Sequence, residues 1–262
     1  MNPFFFGSSA SPLYGVFHPS LVPEKKNEGI LLCPPFGQEY MRSHRAYRQL
    51  ALLLNKQGFP VLRFDYMGTG DSYGEPEDAT IQDWVDNIAT AIEELKHSAQ
   101  VDTVSLVGLR LGGLVAARYC CEHPDHINRL VLWDTIVSGE RYIEELNTYI
   151  AKAPNSKSKC FDDTGALHFN GFALTKPQLD ELKSIDLGKV DPSVRKVNQI
   201  CSMESDNQLY LKDSWTSHEG YHYQHTAAPG DWNFVDDFGG ILLPQQVIQS
   251  VVSAVCESRP TS

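Results

Sequence analysis

The chain has 262 residues, 42% of them hydrophobic and 10% aromatic, enough to bury one large core or a core with a small subdomain. A formal net charge of −11 argues against nucleic acid or an anionic membrane surface as its main partner. The six cysteines (Cys33, Cys120, Cys121, Cys160, Cys201, Cys256) show no C-x-x-C pair, so neither a zinc site nor a disulfide framework is expected. No metal or cofactor motif is evident.

The opening stretch MNPFFFGSSASPLYG holds an apolar triplet, without the basic region or long apolar run of a signal or a membrane span. A reduced cytoplasm is the expected compartment. Ile30 to Cys33 reads as a short buried strand stopped by Pro34 and Pro35. A helix follows, with Ser43 as its expected N-cap and Gly58 as its stop. Val61 to Phe64 gives a second strand, running into the glycine-rich turn DYMGTGDS. Thr80 and Asp83 have capping-box spacing, and Ile81, Trp84, Val85, Ile88, Ala91, Ile92 and Leu95 then repeat at helical intervals.

A third strand, Val104 to Val107, leads through GLRLGG into a helix that ends before Pro124. Arg129 to Asp134 is a fourth strand. From Thr135 to Lys189 the chain turns polar, is broken by Pro154, Gly165, Gly171 and Pro177, and shows two short amphipathic helices. It reads as a helical cap inserted between core strands. The sheet resumes near Val197 to Ser202, YHYQHT has the pattern of a further strand, and Pro244 opens a last helix with Val247, Val251 and Val255 on its apolar stripe. Alternating strands and helices predict an α/β fold with a mostly parallel twisted sheet flanked by helices. The expected division is a first core part over 1–134, the cap over 135–189, and the last strands and helix over 190–262.

Gly108 and Gly112 bracket Arg110 between a buried strand and a helix. Such a strand–turn–helix elbow thrusts its central side chain above the sheet at a helix N-terminus and aims the next backbone N–H, here that of Leu111, at a developing oxyanion. CPPFGQE occupies the place where such folds put a second oxyanion donor, the N–H of Phe36 beside Gly37. With the RFDYMGTGDS turn, these segments resemble the α/β-hydrolase superfamily, in particular its serine aminopeptidase-like group with an HGxGE…DxxGxGxS pattern. The resemblance runs from about Gly29 to Asp134. Within it, GLRLGG and LVLWDTIVSGERYIEEL are most similar to the exosortase A system-associated hydrolase 2 proteins, bacterial proteins whose elbows also tend to carry arginine. That likeness implies a setting of acyl-carrier and surface-polysaccharide chemistry.

The departures from the enzyme pattern are chemical. Pro34-Pro35 stands where the family has His-Gly, and Arg110 stands at the nucleophile position. Glu204 or Asp206 can fill the acid position, but APGDWNFVDDFGGILLPQ, where the general base belongs, contains no histidine. His218, His222 and His225 lie upstream of it. A guanidinium stays protonated near neutrality and cannot act as a serine-type nucleophile. A Ser-His-Asp mechanism is therefore not expected. Other nucleophiles fare no better. Ser72 is expected to make a turn hydrogen bond, Ser105 to point into strand packing, and Cys33 to serve as a small hydrophobe without a histidine partner.

Arg110 has two readings. Either Glu204, Asp206 or Asp65 neutralises it internally, or the guanidinium, the helix end and the oxyanion donors clamp an anionic ligand. Trp133 and Trp232 could line the pocket, although a tryptophan at a strand end or in a loop more often closes a core edge. His168 has no metal-spaced companion. The expected function is binding of an anionic small molecule, or of an acyl group on a carrier protein, under the cap. The alternatives are an enzyme using Arg110 with Glu204, Asp206 or a histidine, and a non-catalytic interaction subunit.

Overall fold

The computed structural model describes residues 1–123, 127–152, 161–228, 232 and 243–257. Cys160 and most of the expected histidine loop lie outside these. Among the described residues, ten strands and seven α-helices follow in chain order. They are β1 (Asn2–Ser8), β2 (Ser11–His18), β3 (Glu28–Cys33), α1 (Gln38–Lys56), β4 (Val61–Phe64), α2 (Ile81–Ala99), β5 (Thr103–Leu109), α3 (Leu111–Glu122) and β6 (Ile127–Trp133). Then come α4 (Gly139–Lys152), β7 (Leu167–Phe169), β8 (Phe172–Leu174), α5 (Lys176–Lys183), β9 (Val197–Cys201), α6 (Asp206–Trp215), β10 (Tyr221–His225) and α7 (Gln245–Cys256).

Eight strands form one sheet in the order β1-β2-β4-β3-β5-β6-β9-β10. From β4 to β10 every pairing is parallel, while β1–β2 and β2–β4 are antiparallel. The expected fold class is what the structure shows. Both faces of the sheet are covered, which is why the central strands read as continuous apolar runs. Leu31, Leu106, Leu130 and Leu132 pack with α2 and α3 on one face, and Ile30, Leu32, Val107 and Val131 pack with α1 and α7 on the other.

Local chemistry explains where elements begin. At α2 the Thr80 hydroxyl accepts from Asp83 N at 3.0 Å, while Asp83 Oδ2 accepts from Thr80 N at 2.8 Å, the reciprocal capping box its spacing predicts. At α1 the expected start is late by six residues. Gly37, at φ 65, precedes the helix, and Ser43 lies inside it with its hydroxyl donating to Tyr40 O. The N-terminal hairpin β1–β2 and the small β7–β8 hairpin add to the elements expected from the sequence.

Between β6 and β9 the chain leaves the sheet, and three contacts among others tie this excursion to the core. Gln178 Nε2 donates to Ala79 O at 2.7 Å and to Pro76 O at 2.9 Å. Glu181 on α5 accepts from Ile81 N at 2.8 Å and Gln82 N at 3.2 Å, placing a carboxylate on the N-terminus of α2. The third contact comes from α4 and runs to the elbow.

Candidate functional site

The elbow keeps its strained form. Arg110 sits between β5 and α3 at φ 51 and ψ −122, a left-handed conformation costing a non-glycine residue on the order of 1–3 kcal/mol. Three glycines permit it. A Cβ on Gly112 would lie 2.2 Å from Pro34 O and 2.3 Å from Cys33 O, one on Gly108 would lie 2.5 Å from Gly113 Cα, and one on Gly113 would lie 2.4 Å from Thr135 Oγ1. The first turn of α3 therefore presses on the loop after β3, and the geometry of a nucleophile elbow survives without a nucleophile.

The Arg110 side chain, 11% exposed, meets protein carboxylates. Its Nε lies 2.7 Å from Glu39 Oε1 and its Nη2 lies 2.5 Å from Glu145 Oε1. Glu39, in the first turn of α1, is 1% exposed, whereas the Glu145 side chain on α4 is 42% exposed. The Tyr142 ring completes the enclosure 5.9 Å from the guanidinium carbon. Burial alone would pull the guanidinium pKa down. Glu39 and Glu145, helped by Tyr142, overcome that and raise it above its ordinary value. Burial and then the Glu39 charge hold the Tyr142 phenol well above the usual range.

These partners correct the expectation that Glu204, Asp206 or Asp65 neutralises Arg110. Asp65 is held elsewhere. It accepts from Tyr40 Oη at 2.7 Å and Asp71 N at 3.2 Å, and burial, only partly offset by these bonds, raises its pKa. Glu204, in the loop after β9, accepts from Tyr223 Oη at 2.8 Å and lies 3.9 Å from His225 Nδ1. Asp206 opens α6. Glu39 lies within CPPFGQE but 71 residues from Arg110, and only burial singles it out.

A cavity of about 660 Å³ opens beside Arg110, lined by residues of α4 and of the loop between β9 and α6, with Asp134 and Trp232. Arg110, Glu204, Asp206 and Trp232 all line it, so four of the expected site residues do converge. Asp134, at φ 44 after β6, anchors its floor. The Asp134 carboxylate accepts from Ser202 N at 2.6 Å, Ser202 Oγ at 2.7 Å and Trp232 Nε1 at 3.0 Å. Trp232 therefore stands, from the loop where the base histidine belongs, against an aspartate after β6.

Phe36, Gly37, Leu111 and Trp133 are absent from the cavity wall among the described residues. Phe36 packs against Trp84 at 5.3 Å, Leu111 is 1% exposed in the core, and Trp133 is fully buried, stacked on Tyr47 at 6.3 Å. Their aromatic and aliphatic side chains gain more from the two cores than from the cavity. Gly37 serves as the turn before α1, its absent Cβ leaving room for Phe169.

No alternative nucleophile is assembled among the described residues. The Ser72 hydroxyl accepts from Tyr14 N at 2.9 Å and donates to Asp65 O at 2.6 Å, the turn role its context predicts. Ser105 donates to Glu28, and burial pushes the Cys33 thiol far above the range of a reactive cysteine. His218 accepts from Gly220 N, His168 pairs with Asp162 at 2.7 Å on the β7–β8 hairpin, and His222 is exposed on β10. No cluster of metal-binding side chains occurs among the described residues.

The fold is shared with solved hydrolases. Est1E from Butyrivibrio proteoclasticus, in a structure with ferulic acid bound, superposes with a TM-score of 0.69 at 17% identity over 96% of both chains. The α/β-hydrolase domain-containing protein 10 from mouse gives 0.64 at 16% identity over 97% of both chains. Among curated relatives, a proline iminopeptidase of Lactobacillus delbrueckii subsp. bulgaricus is 28% identical over 120 residues, which is 44% of this chain and 39% of that protein. One from Lactobacillus acidophilus is 27% identical over 210 residues, 77% of this chain and 67% of that protein. Human mitochondrial palmitoyl-protein thioesterase ABHD10 is 28% identical over 106 residues, 40% of this chain and 33% of that protein. With several of these relatives the match spans only two fifths or less of their length. The family model described as serine aminopeptidase, S33, matches residues 38–219. By fold, by elbow geometry and by that match, the chain belongs to the serine aminopeptidase S33 family of α/β-hydrolases.

Proposed function

We propose that this protein performs no serine-hydrolase chemistry, that its elbow has become a structural ion pair, and that it binds a small molecule in the cavity beside Arg110. The observation that carries this reading is the 2.7 Å contact between Arg110 Nε and the 1%-exposed Glu39. A side chain held by a buried carboxylate is neither a nucleophile nor an open anion clamp.

The cavity wall refines the ligand. Arg110 and Arg141 face Asp134, Glu144, Glu145, Glu204 and Asp206. Carboxylates accept hydrogen bonds and repel anions, so the lining favours a ligand that donates from hydroxyl or amine groups. On that ground the proposed ligand is of this class rather than the expected anionic or acyl-carrier one. The exosortase-type likeness of GLRLGG supports a setting of surface-polysaccharide biosynthesis, where hydroxyl-rich molecules occur. The test is a thermal-shift screen of polyols and amines against carboxylates and phosphates, run beside a fluorophosphonate probe. Upward shifts confined to the donor-rich compounds, with no labelled serine, are expected. Stoichiometric labelling, or shifts from anions alone, overturns the reading.

One observation favours a second reading. Glu204, in the loop after β9, stands 3.9 Å from His225 at the end of the adjacent parallel β10, and Glu204 reaches the cavity. Such a pair could move a proton for an enzyme without a serine nucleophile. Substrate turnover abolished by His225→Ala and unaffected by fluorophosphonate would establish this reading instead.

A further inference from the structure

The sheet ends on one side at β1, and no described strand lies beyond it. Sheet edges invite pairing because their outward N–H and C=O groups lack partners, and proteins usually blunt them with charge, bulges or covering loops. β1 pairs with β2 in unbroken register from Asn2↔Phe17 to Ser8↔Ser11, so no bulge twists it away, and Pro3, which has no N–H, withholds one donor from the edge. Phe6 is buried and Phe4 packs on the core, but Phe5 is 60% exposed on the opposite face, edge-on to Tyr14 at 5.5 Å.

Charge singles this edge out. The chain carries 33 acidic and 22 basic residues, yet the first 23 positions contain no Asp, Glu, Lys or Arg. The one titratable side chain besides Tyr14 in this stretch, His18, is kept neutral by burial and the neighbouring Arg63, its pKa lowered to about 4. Elsewhere a protein of net charge −11 repels its own copies. This edge does not. The opposite edge, β10, is polar, with His222, Gln224 and His225 exposed.

We propose that β1 pairs antiparallel with β1 of a second copy of this chain, extending the two sheets across a twofold axis. Antiparallel pairing of identical strands is isologous, so a single segment without charged side chains supplies both halves of the contact. The axis falls at Phe5, the central residue of Asn2–Ser8, and sets the two exposed Phe5 rings on one shared face.

Sedimentation velocity on the full chain, from low to high micromolar, tests this. A concentration-dependent monomer–dimer equilibrium is expected, lost in Phe5→Lys, which places two like charges across the axis while leaving the far-ultraviolet circular dichroism unchanged. Phe5→Cys under mild oxidation is expected to give a covalent dimer whose disulfide joins the two substituted positions. A chain that stays monomeric at every concentration overturns the proposal. So does a dimer unaffected by Phe5→Lys, or a Phe5→Cys chain that never cross-links at that position.

Discussion

Glu39 holds Arg110 by the guanidinium edge, Nε to Oε1 at 2.7 Å, and both side chains lie almost wholly out of water. The same guanidinium reaches Glu145 at 2.5 Å, but that carboxylate is 42% exposed. One arginine thus has an inner partner in the core and an outer partner at the surface, and physics values the two differently. Taking a buried charge away from its partner costs several kcal/mol, whereas an exposed pair contributes little and is screened by salt.

The first prediction follows from that contrast. Glu39→Gln should destabilise the protein by up to about 3–5 kcal/mol, because Arg110 stays charged in a low-dielectric site with only the exposed Glu145 left to pair it. Glu145→Gln should cost less than about 1 kcal/mol and lose most of that at high salt. Urea unfolding at two ionic strengths separates them, and equal effects would show that the inner and outer partners are not distinct.

A second prediction concerns the glycine behind the elbow. Gly112→Ala would set a Cβ 2.2 Å from Pro34 O and 2.3 Å from Cys33 O, so α3 or the loop after β3 must move. A loss of about 1–3 kcal/mol is expected from overpacking. Thermal denaturation checks it, and an unchanged midpoint would mean that the two segments are not pressed together.

Much of this architecture was legible beforehand, for identifiable reasons. The α2 capping box and apolar stripe, the β4 strand and the elbow all follow from local residue order. In FFFGSSASPLYG the apolar triplet has the look of a targeting signal, and only GSSAS, a turn signal between two apolar runs, points to the β1–β2 hairpin. The β7–β8 hairpin is three residues a side, too short for periodicity to register. The elbow itself was readable, and its electrostatics were not. Glu39 and Glu145 reach Arg110 from 71 and 35 residues away, and only the fold, which brings side chains of α1 and α4 to the elbow, shows which acids arrive. Glu204 and Asp206 do line the cavity beside Arg110, so the expected neighbourhood was correct while the expected bond was not.

A third prediction is pH-dependent. His18 is buried and accepts from Arg63 Nε at 3.1 Å, so its ring is neutral. Burial first, then Arg63, lower its pKa from 6.5 to about 4. Between those values the unfolded chain binds a proton that the folded chain refuses. Its contribution is fully present above pH 6.5 and is lost as pH falls toward 4, with a slope of up to about 1.4 kcal/mol per pH unit. In His18→Gln the stability curve should be flatter across that window. Identical slopes in the two proteins would contradict the assignment.

A fourth prediction addresses chemistry. Arg110→Ser puts a nucleophilic hydroxyl at the elbow, but no histidine follows His225 in the chain. Hydrolysis of short p-nitrophenyl esters should stay at background, and stability should fall because Glu39 loses its guanidinium. Turnover above background would show that a histidine reaches the elbow after all.

The most direct test of the structural ion pair is a double-mutant cycle on Arg110→Met and Glu39→Leu, read as unfolding free energies. If the pair is what the elbow now holds, each single variant is strongly destabilised. The double variant, with two apolar side chains of similar volume, should then recover at least about 2 kcal/mol relative to the sum of the two. Additive losses would mean that Arg110 and Glu39 do not depend on each other, and the account of the elbow as a structural ion pair would fail.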